Sequence, residues 1–243
     1  MNPKMMAHKI RSTDTQTARR TRARRAAALA LSAALLAGSG AWAEALNYQN
    51  QTNRTADENG WILGGAQRWY RPYYENHSLT GIDLQNNRVV GTGNYSWAGG
   101  GALFGDKFIV TTTGNVTIKN NGVHAQAGTY AGGGAIHAVR ALTLKTTSGA
   151  ITIEANSADV AGAMVGGGAL STLGDSTSSG NVAVEASSAL TIKNNRVRSG
   201  GASARGGAIA SGWNWDTGDP NNTVTLNAGG HITVTGNSAE SSG

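Results

Sequence analysis

The sequence predicts an all-β protein: a right-handed parallel β-helix, its coils about 34–42 long, placed behind a cleaved signal peptide. Three observations point there. An aliphatic-x-aliphatic segment closing on Asn recurs five times, and a Gly-Gly-Ala-[Ile/Leu] element recurs between the copies in constant phase. The composition suits turns and packed strands, with 35 Gly, 3 Pro and no Cys in 243 residues and only 14% charged side chains. Without cysteine there is no disulfide scaffold, thiolate nucleophile or Cys-ligated metal, so packing and backbone hydrogen bonds must hold the fold. Gly shows no three-residue period, which excludes collagen, and the regular supply of Val, Ile, Leu and Ala excludes simple disorder.

In chain order, the first element is a targeting signal. Lys4, Lys9, Arg11, Arg19, Arg20, Arg22, Arg24 and Arg25 precede the apolar run Ala26 to Ala37, and Ala41-Trp42-Ala43 supplies a small-residue cleavage site. Residues 1–43 are therefore expected to be a signal peptide cleaved after Ala43. The run is shorter than the roughly 20 residues of a spanning helix, which argues against an anchor. No bulky apolar residue follows either Arg pair, so general secretion machinery is expected over twin-arginine export. The formal net charge of +6 belongs to this signal: residues 44–243 carry 12 basic and 13 acidic side chains, a net of −1. No Lys/Arg patch interleaved with aromatics remains, so no nucleic acid partner is expected.

Residues 44–78 come next. Their aromatic-rich run, Trp61 to Tyr74, suggests an N-terminal cap or linker closing the first coil, with a receptor or glycan site as the other reading.

The repeats occupy residues 79–243. The Asn segments are Ile82-Asp83-Leu84-Gln85-Asn86-Asn87, Val116-Thr117-Ile118-Lys119-Asn120-Asn121, Ile151-Thr152-Ile153-Glu154-Ala155-Asn156, Leu190-Thr191-Ile192-Lys193-Asn194-Asn195 and Ile232-Thr233-Val234-Thr235-Gly236-Asn237. Their closing Asn positions lie 34, 35, 39 and 42 apart. Aliphatic residues flank Thr four times and Asp once, the period of two that marks a strand with one buried face. Gly100-Gly101-Ala102, Gly133-Gly134-Ala135, Gly167-Gly168-Ala169 and Gly206-Gly207-Ala208 follow, each at nearly the same distance beyond its closing Asn. A third apolar segment completes each period: Phe108 to Val110, Leu142 to Leu144, Val182 to Val184 and Val224 to Leu226. About three short strands per coil are expected, five coils making a column of roughly 24 Å at the inter-strand spacing.

Stacking puts like positions above one another, so Asn87, Asn121, Asn156, Asn195 and Asn237 should form an Asn ladder at a bend. There Asn would adopt the left-handed conformation while its amide bonds to the turn or the next rung. Gly-Gly-Ala should give a tight turn of positive φ, then a small inward side chain where the coil is narrow. After Asn237 the next Gly-Gly-Ala element would fall beyond Gly243, so the repeats are expected to be truncated in mid-coil, in the N-terminal piece of a longer protein.

The pairing of Gly-Gly-Ala-[Ile/Leu] with hydrophobic-x-x-Asn resembles the repeats of the chlamydial polymorphic outer membrane proteins and, more widely, autotransporter passenger domains. Where the chlamydial pattern typically opens its second motif with Phe, this chain has Leu84, Ile118, Ile153, Ile192 or Val234, which favours a relative in another bacterial lineage. The resemblance implies an adhesin-like, surface-exposed passenger that binds a host receptor or glycan. It also implies a link to the outer membrane through a C-terminal barrel that is not present in this chain.

A polysaccharide-active β-helix, lyase or glycoside hydrolase, is the competing expectation, and a structural stalk presenting a distal domain is the third. Glycoside hydrolysis needs converging carboxylates and a lyase needs a Ca²⁺ cluster with a base. The acids are scattered, with close pairs only at Asp57-Glu58 and Asp216/Asp219. His77, His124, His137 and His231 share no repeat position or ligand spacing and are expected at the surface or in turns. No catalytic residue, metal or cofactor is therefore expected. The last inter-Asn interval is lengthened near Gly212 to Pro220, and Trp213, Trp215, Asp216 and Asp219 form the candidate binding loop: aromatic faces beside acceptors, on an insertion free to project.

Overall fold

The computed structural model describes residues 45–54, 61–69, 74–91, 97–126, 130–162, 164–174, 180–201, 203–212 and 222–242. The expected signal peptide and the 213–220 loop lie outside them. The described chain is an all-β parallel solenoid, and every strand pair in it is parallel. Like positions recur at separations of 36, 34, 35, 39 and 42, in the column Leu46, Ile82, Val116, Ile151, Leu190, Ile232 as in the column that begins with Gln51 and Asn87.

Four sheets run along the stack. Sheet 1 holds the Asn segments: Ala45–Gln49, Gly81–Gln85, Val116–Lys119, Ile151–Glu154, Leu190–Lys193 and Ile232–Thr235. Sheet 2 follows each closing Asn, with Thr52–Asn53, Arg88–Gly91, Gly122–Ala125, Ser157–Val160, Arg196–Ser199 and Ser238–Ser241. Sheet 3 is the short strand before each Gly-Gly turn: Trp61–Leu63, Trp97–Gly99, Tyr130–Gly132, Met164–Gly166 and Ser203–Arg205. Sheet 4 carries the rest, including the long strands Leu103–Thr112 and Ile136–Thr146. The expectation of about three strands per coil is thus too low. Sheets 2 and 3 escape a search for apolar alternation because they bury only small residues such as Val89, Ala98, Ala131 and Ala158.

Residues 44–78, set apart in the sequence as a cap or linker, pair as a coil of the stack wherever they are described. Ala45–Gln49 pairs with Gly81–Gln85 along its whole length, and Trp61–Leu63 pairs with Trp97–Gly99. Gly64 has the positive φ of the later Gly-Gly turns, and Gly65 repeats their close approach to the neighbouring coil.

Alternation on sheet 1 buries one face fully. Leu84, Ile118, Ile153 and Leu190 are completely buried, while Asp83, Thr117, Thr152 and Thr191 between the buried residues are half-buried on the outside. With Phe108, Leu142, Leu144, Val182 and Val184 of sheet 4, and Ala102, Ala135, Ala169 and Ala208, they form the main core. Each fully buried Leu, Ile or Phe contributes about 1.5–3 kcal/mol. A second, smaller core of Val and Ala lies between sheets 2 and 3.

The Gly-Gly turn divides the two cores. Its first Gly has positive φ, between 59° and 70° in Gly64, Gly100, Gly133, Gly167 and Gly206. At the second, a Cβ on Gly134 would stand 2.0 Å from the carbonyl oxygen of Gly168 and 2.4 Å from that of Ser157 in sheet 2. Backbone therefore crosses backbone at a waist where only Gly fits. The following Ala fills the narrow side of the main core, as the motif predicts.

The Asn ladder is present and its chemistry is complete. Asn156 donates one amide hydrogen to the Ile118 carbonyl at 2.9 Å and the other to Asn195 Oδ1 at 3.0 Å. Its own Oδ1 accepts from the backbone N–H and the Nδ2 of Asn121, both at 3.0 Å. Asn121 and Asn195 repeat this pattern; Asn87 repeats its donations, while its Oδ1 accepts only the backbone N–H of Gln51, which takes the place of the rung in the first coil. One expectation is corrected: the left-handed residue is not the ladder Asn but its predecessor, Asn50, Asn86, Asn120, Ala155, Asn194 or Gly236. That residue turns the chain outward and is itself exposed at Asn86, Asn120, Ala155 and Asn194. The ladder Asn then points inward, where a short amide matches the spacing of stacked strands.

Coil length varies most between the Ala of Gly-Gly-Ala and the second stretch of sheet 4, while the connection from sheet 2 to sheet 3 shortens only slightly, from Gly91–Trp97 to Val160–Met164 and Ser199–Ser203. After that Ala the chain takes a short path in Ala102–Phe108 and Ala135–Leu142, and a much longer one in Ala169–Val182 and Ala208–Val224. In the first two of these coils sheet 4 is one continuous strand, with a register shift between Ala138 and Ala141 in the second. In the last two it breaks into Leu170–Thr172 with Val182–Ala186, and Ile209–Ala210 with Val224–Ala228. The bases of the two excursions are fastened together. Gly180 N–H donates to Asn222 Oδ1 at 2.7 Å, Asn222 Nδ2 to the Gly212 carbonyl at 3.1 Å, and Ser211 Oγ to the Gly180 carbonyl at 2.6 Å.

Candidate binding surface

Since the interior amides are committed to one another, any partner must be met by the outer faces. Stacking displays identical positions of successive coils as columns, and each outer face is a set of such columns.

On sheet 1 one column is Asp83, Thr117, Thr152, Thr191, Thr233 and its neighbour is Gln85, Lys119, Glu154, Lys193, Thr235. Glu154 lies between two lysines, 3.0 Å from Lys193 Nζ and 3.2 Å from Lys119 Nζ. The Lys193 hydrogen bond, then that of Lys119, holds its carboxyl below the usual range despite some opposing desolvation. All three side chains are well solvated, so the stabilisation is a fraction of a kcal/mol, on the order of other exposed pairs. Sheet 2 carries His124 and Asp159 at 3.9 Å, and Arg196 and Arg198 at 3.8 and 3.6 Å from Glu240. Sheet 4 carries Lys145 and Glu185 at 2.8 Å, and a bidentate Arg140–Asp106 pair whose Nε–Oδ1 distance is 2.7 Å. These are mixed, self-neutralising ladders rather than a field of one sign.

The corner between sheets 3 and 4 differs in kind. Trp97, Tyr130, Met164 and Ser203 form a half-buried outer column on sheet 3, and Phe104, His137 and Ser171 a buried one on sheet 4. Trp97 meets Tyr130 edge-on with centroids 6.1 Å apart, and lies 5.5 Å from the His137 ring. Phe104 stacks on His137 with centroids 5.4 Å apart and planes 17° from parallel. Gly132 makes room: a Cβ there would come 2.7 Å from His137 Nδ1. His137 Nδ1 and Ser171 Oγ are 2.5 Å apart, whereas Nε2 is buried with no hydrogen-bond partner among the described residues. Full burial pushes the His137 pKa down to about 3, so the ring is neutral and serves as an aromatic spacer beside Trp97.

The residues singled out in the sequence divide as follows. Asn87, Asn121, Asn156, Asn195 and Asn237 are brought into one ladder. Trp213, Trp215, Asp216 and Asp219 of the candidate loop lie outside the described residues, as do Asp57 and Glu58. His124 and His231 are exposed, as expected. His137 is a correction: it is fully buried, because it follows the Gly-Gly turn on the outer side of a strand that the corner folds over. The aromatic column escapes the motif search. Its signal is the third position before each Gly-Gly element, occupied by Trp61, Trp97, Tyr130, Met164 and Ser203.

Among the described residues no group of three or more His, Asp or Glu side chains is placed to hold a metal ion. Comparison of the chain with protein-family models, curated proteins and solved structures finds no match in any of the three.

Proposed function

We propose that this chain is an exported, adhesin-like surface protein of the autotransporter-passenger kind, which binds host or neighbouring-cell surfaces without catalysis. The observation that carries the reading is the Trp97–Tyr130 column, two large half-buried aromatics side by side on an outer face whose sheet fixes their positions. Aromatic faces held in this way suit sugar rings or apolar receptor side chains, since they offer large contact area with little entropy to lose. The signal sequence and the repeat resemblance support export and display. The partner is a receptor or glycan of the target cell.

Adhesion of the labelled chain to cell monolayers and to arrayed glycans tests this. The double variant Trp97→Ala/Tyr130→Ala should lose adhesion about tenfold or more while its far-ultraviolet circular dichroism is unchanged. The parallel variant Trp213→Ala/Trp215→Ala reports on the 213–220 loop. Adhesion retained by both variants, or absent from the wild-type chain, sinks the reading.

A further inference from the structure

The outer face of sheet 2 is hollow in the middle of the stack. One of its columns runs Thr52, Arg88, Gly122, Ser157, Arg196 and Ser238 through successive coils. Gly122 has no side chain and Ser157 a short one, so the surface sinks beside Arg88. Along the neighbouring bend the ridge of exposed residues, Asn86, Asn120, Ala155 and Asn194, is lowest at Ala155, in the same coil as Ser157. The His124–Asp159 pair closes the other side. The result is an open dent of about 420 Å³, built from three coils that have a further described coil above and below them. Its polar groups are uncommitted, unlike the paired charges elsewhere on the outer faces. Among the described residues Arg88 makes no ion pair, and neither the Asn120 amide nor the Ser157 hydroxyl makes a side-chain hydrogen bond. The Asn86 amide donates to Asn50 Oδ1 at 3.2 Å, but Asn120 does not continue that outer chain. The His124–Asp159 contact is long at 3.9 Å, so the carboxylate keeps acceptor capacity.

We propose that this dent is a binding site for an acidic sugar unit, a pyranose carrying one carboxylate of the hexuronic kind. The two charged ends of the dent dictate that class. Arg88 and Asp159 stand two coils apart, about 9–10 Å at the inter-strand spacing, so one end attracts an anion and the other repels it. The Arg88 guanidinium takes the sugar carboxylate as a fork with two parallel hydrogen bonds. Ring hydroxyls at the other end donate to the Asp159 carboxylate and exchange hydrogen bonds with the Asn120 amide and the Ser157 hydroxyl. A neutral sugar leaves the guanidinium unused, and a bare carboxylate leaves the acceptors unused. The volume is that of a small-molecule site, and its open rim leaves room for the next unit of a glycan chain. The site lies on a different sheet from the Trp97–Tyr130 column, so it stands or falls separately from the adhesion assigned there.

Sodium glucuronate titrated into the nitrogen-15-labelled full chain is the test, read by amide NMR spectra. Saturable shifts are expected at the Asn120 side-chain amide, the Arg88 Nε–H and the Gly122 backbone N–H. Glucose and sodium acetate should each bind about tenfold more weakly or worse, since each lacks half of the recognised chemistry. Arg88→Gln should weaken glucuronate binding about tenfold or more with unchanged circular dichroism, because that side chain is exposed and holds no partner in the fold. Gly122→Ala should weaken it as well while the chain still folds. The new Cβ would stand 3.3 Å from Ser157 Oγ, a hydroxyl that can rotate away, and it raises the floor of the dent. Lys145→Gln, which removes a cation from sheet 4, should bind as the wild type does. No saturable shift at the three reporting groups, equal binding of glucose or of acetate, or unchanged binding by Arg88→Gln overturns the proposal. Equal losses in Arg88→Gln and Lys145→Gln overturn it too, because they mark a general attraction of the anion to the protein.

Discussion

Replacing Asn156 by Ala probes the ladder where it is most enclosed. The side chain is fully buried and makes four hydrogen bonds of 2.9–3.0 Å. Truncation strands the backbone N–H of Asn121, one amide hydrogen of Asn121 and the side-chain bond to the Ile118 carbonyl. Asn195 Oδ1 keeps its bond from the residue-156 backbone N–H, so it is only half deprived. Each stranded buried group costs about 1–3 kcal/mol, and partial relaxation of the coil lowers the sum, so a loss of about 3–5 kcal/mol is expected. The reference is Thr152→Ala in the strand just before it, whose half-buried outer side chain should cost under about 1 kcal/mol. Urea unfolding followed by circular dichroism measures both. Because a solenoid is stabilised by neighbouring coils, amide exchange at Asn121 and Asn156 should accompany it and show the loss confined to adjacent rungs. Equal destabilisation by the two substitutions would refute the division into an inner and an outer face.

Gly134→Ala should prevent folding or cost more than about 4 kcal/mol, because the new methyl would stand 2.0 Å from the Gly168 carbonyl; a soluble variant with native circular dichroism would contradict the waist. His137 titrates near 3 in the folded chain and near 6.5 when unfolded, so the unfolded state takes up the extra proton. Its contribution is therefore complete above about pH 6.5 and falls as pH drops toward 3, and His137→Phe should flatten that slope in unfolding free energy measured across the range. Lys193→Ala should cost under about 1 kcal/mol, with the cost vanishing in 1 M NaCl, where the screening length is about 3 Å. N-terminal sequencing of exported protein should begin at Glu44; an intact 1–43 segment on the exported form would remove the cleavage assignment.

The parts of the fold legible in the sequence are those that repeat large or unusual residues. Ile153 and Asn156 announce themselves because an aliphatic pair and an Asn recur together, and the paired Gly residues mark a turn nothing else could make. The first coil is legible as well, in Gly64-Gly65-Ala66 one coil before Gly100-Gly101-Ala102, but Gln51 breaks the Asn pattern and disguises the coil as a cap. Sheets 2 and 3 are not legible, since Val123, Ala131 and Ala158 bury too little apolar area to produce a periodic signal. The conformational roles within the Asn pair cannot be divided by composition alone. Only where Ala155 and Gly236 replace the first Asn does the pattern show which of the two is indispensable. The aromatic corner depends on columns, which exist only after coils are aligned.

The concentration of length variation in sheet 4 has a bearing on how such a chain can change. Residues added between Ala169 and Val182, or between Ala208 and Val224, leave the rungs, the waist and both cores in register. Deletions or insertions within the strands of sheet 1 would shift side chains by one place and turn a buried face outward. The molecule thus separates a frame intolerant of length changes from one edge that accepts them. Foreign segments grafted between Gly174 and Gly180 would emerge at a fixed height on the column, their ends held by the Gly174 N–H bond to the Val139 carbonyl and the Gly180 N–H bond to Asn222 Oδ1.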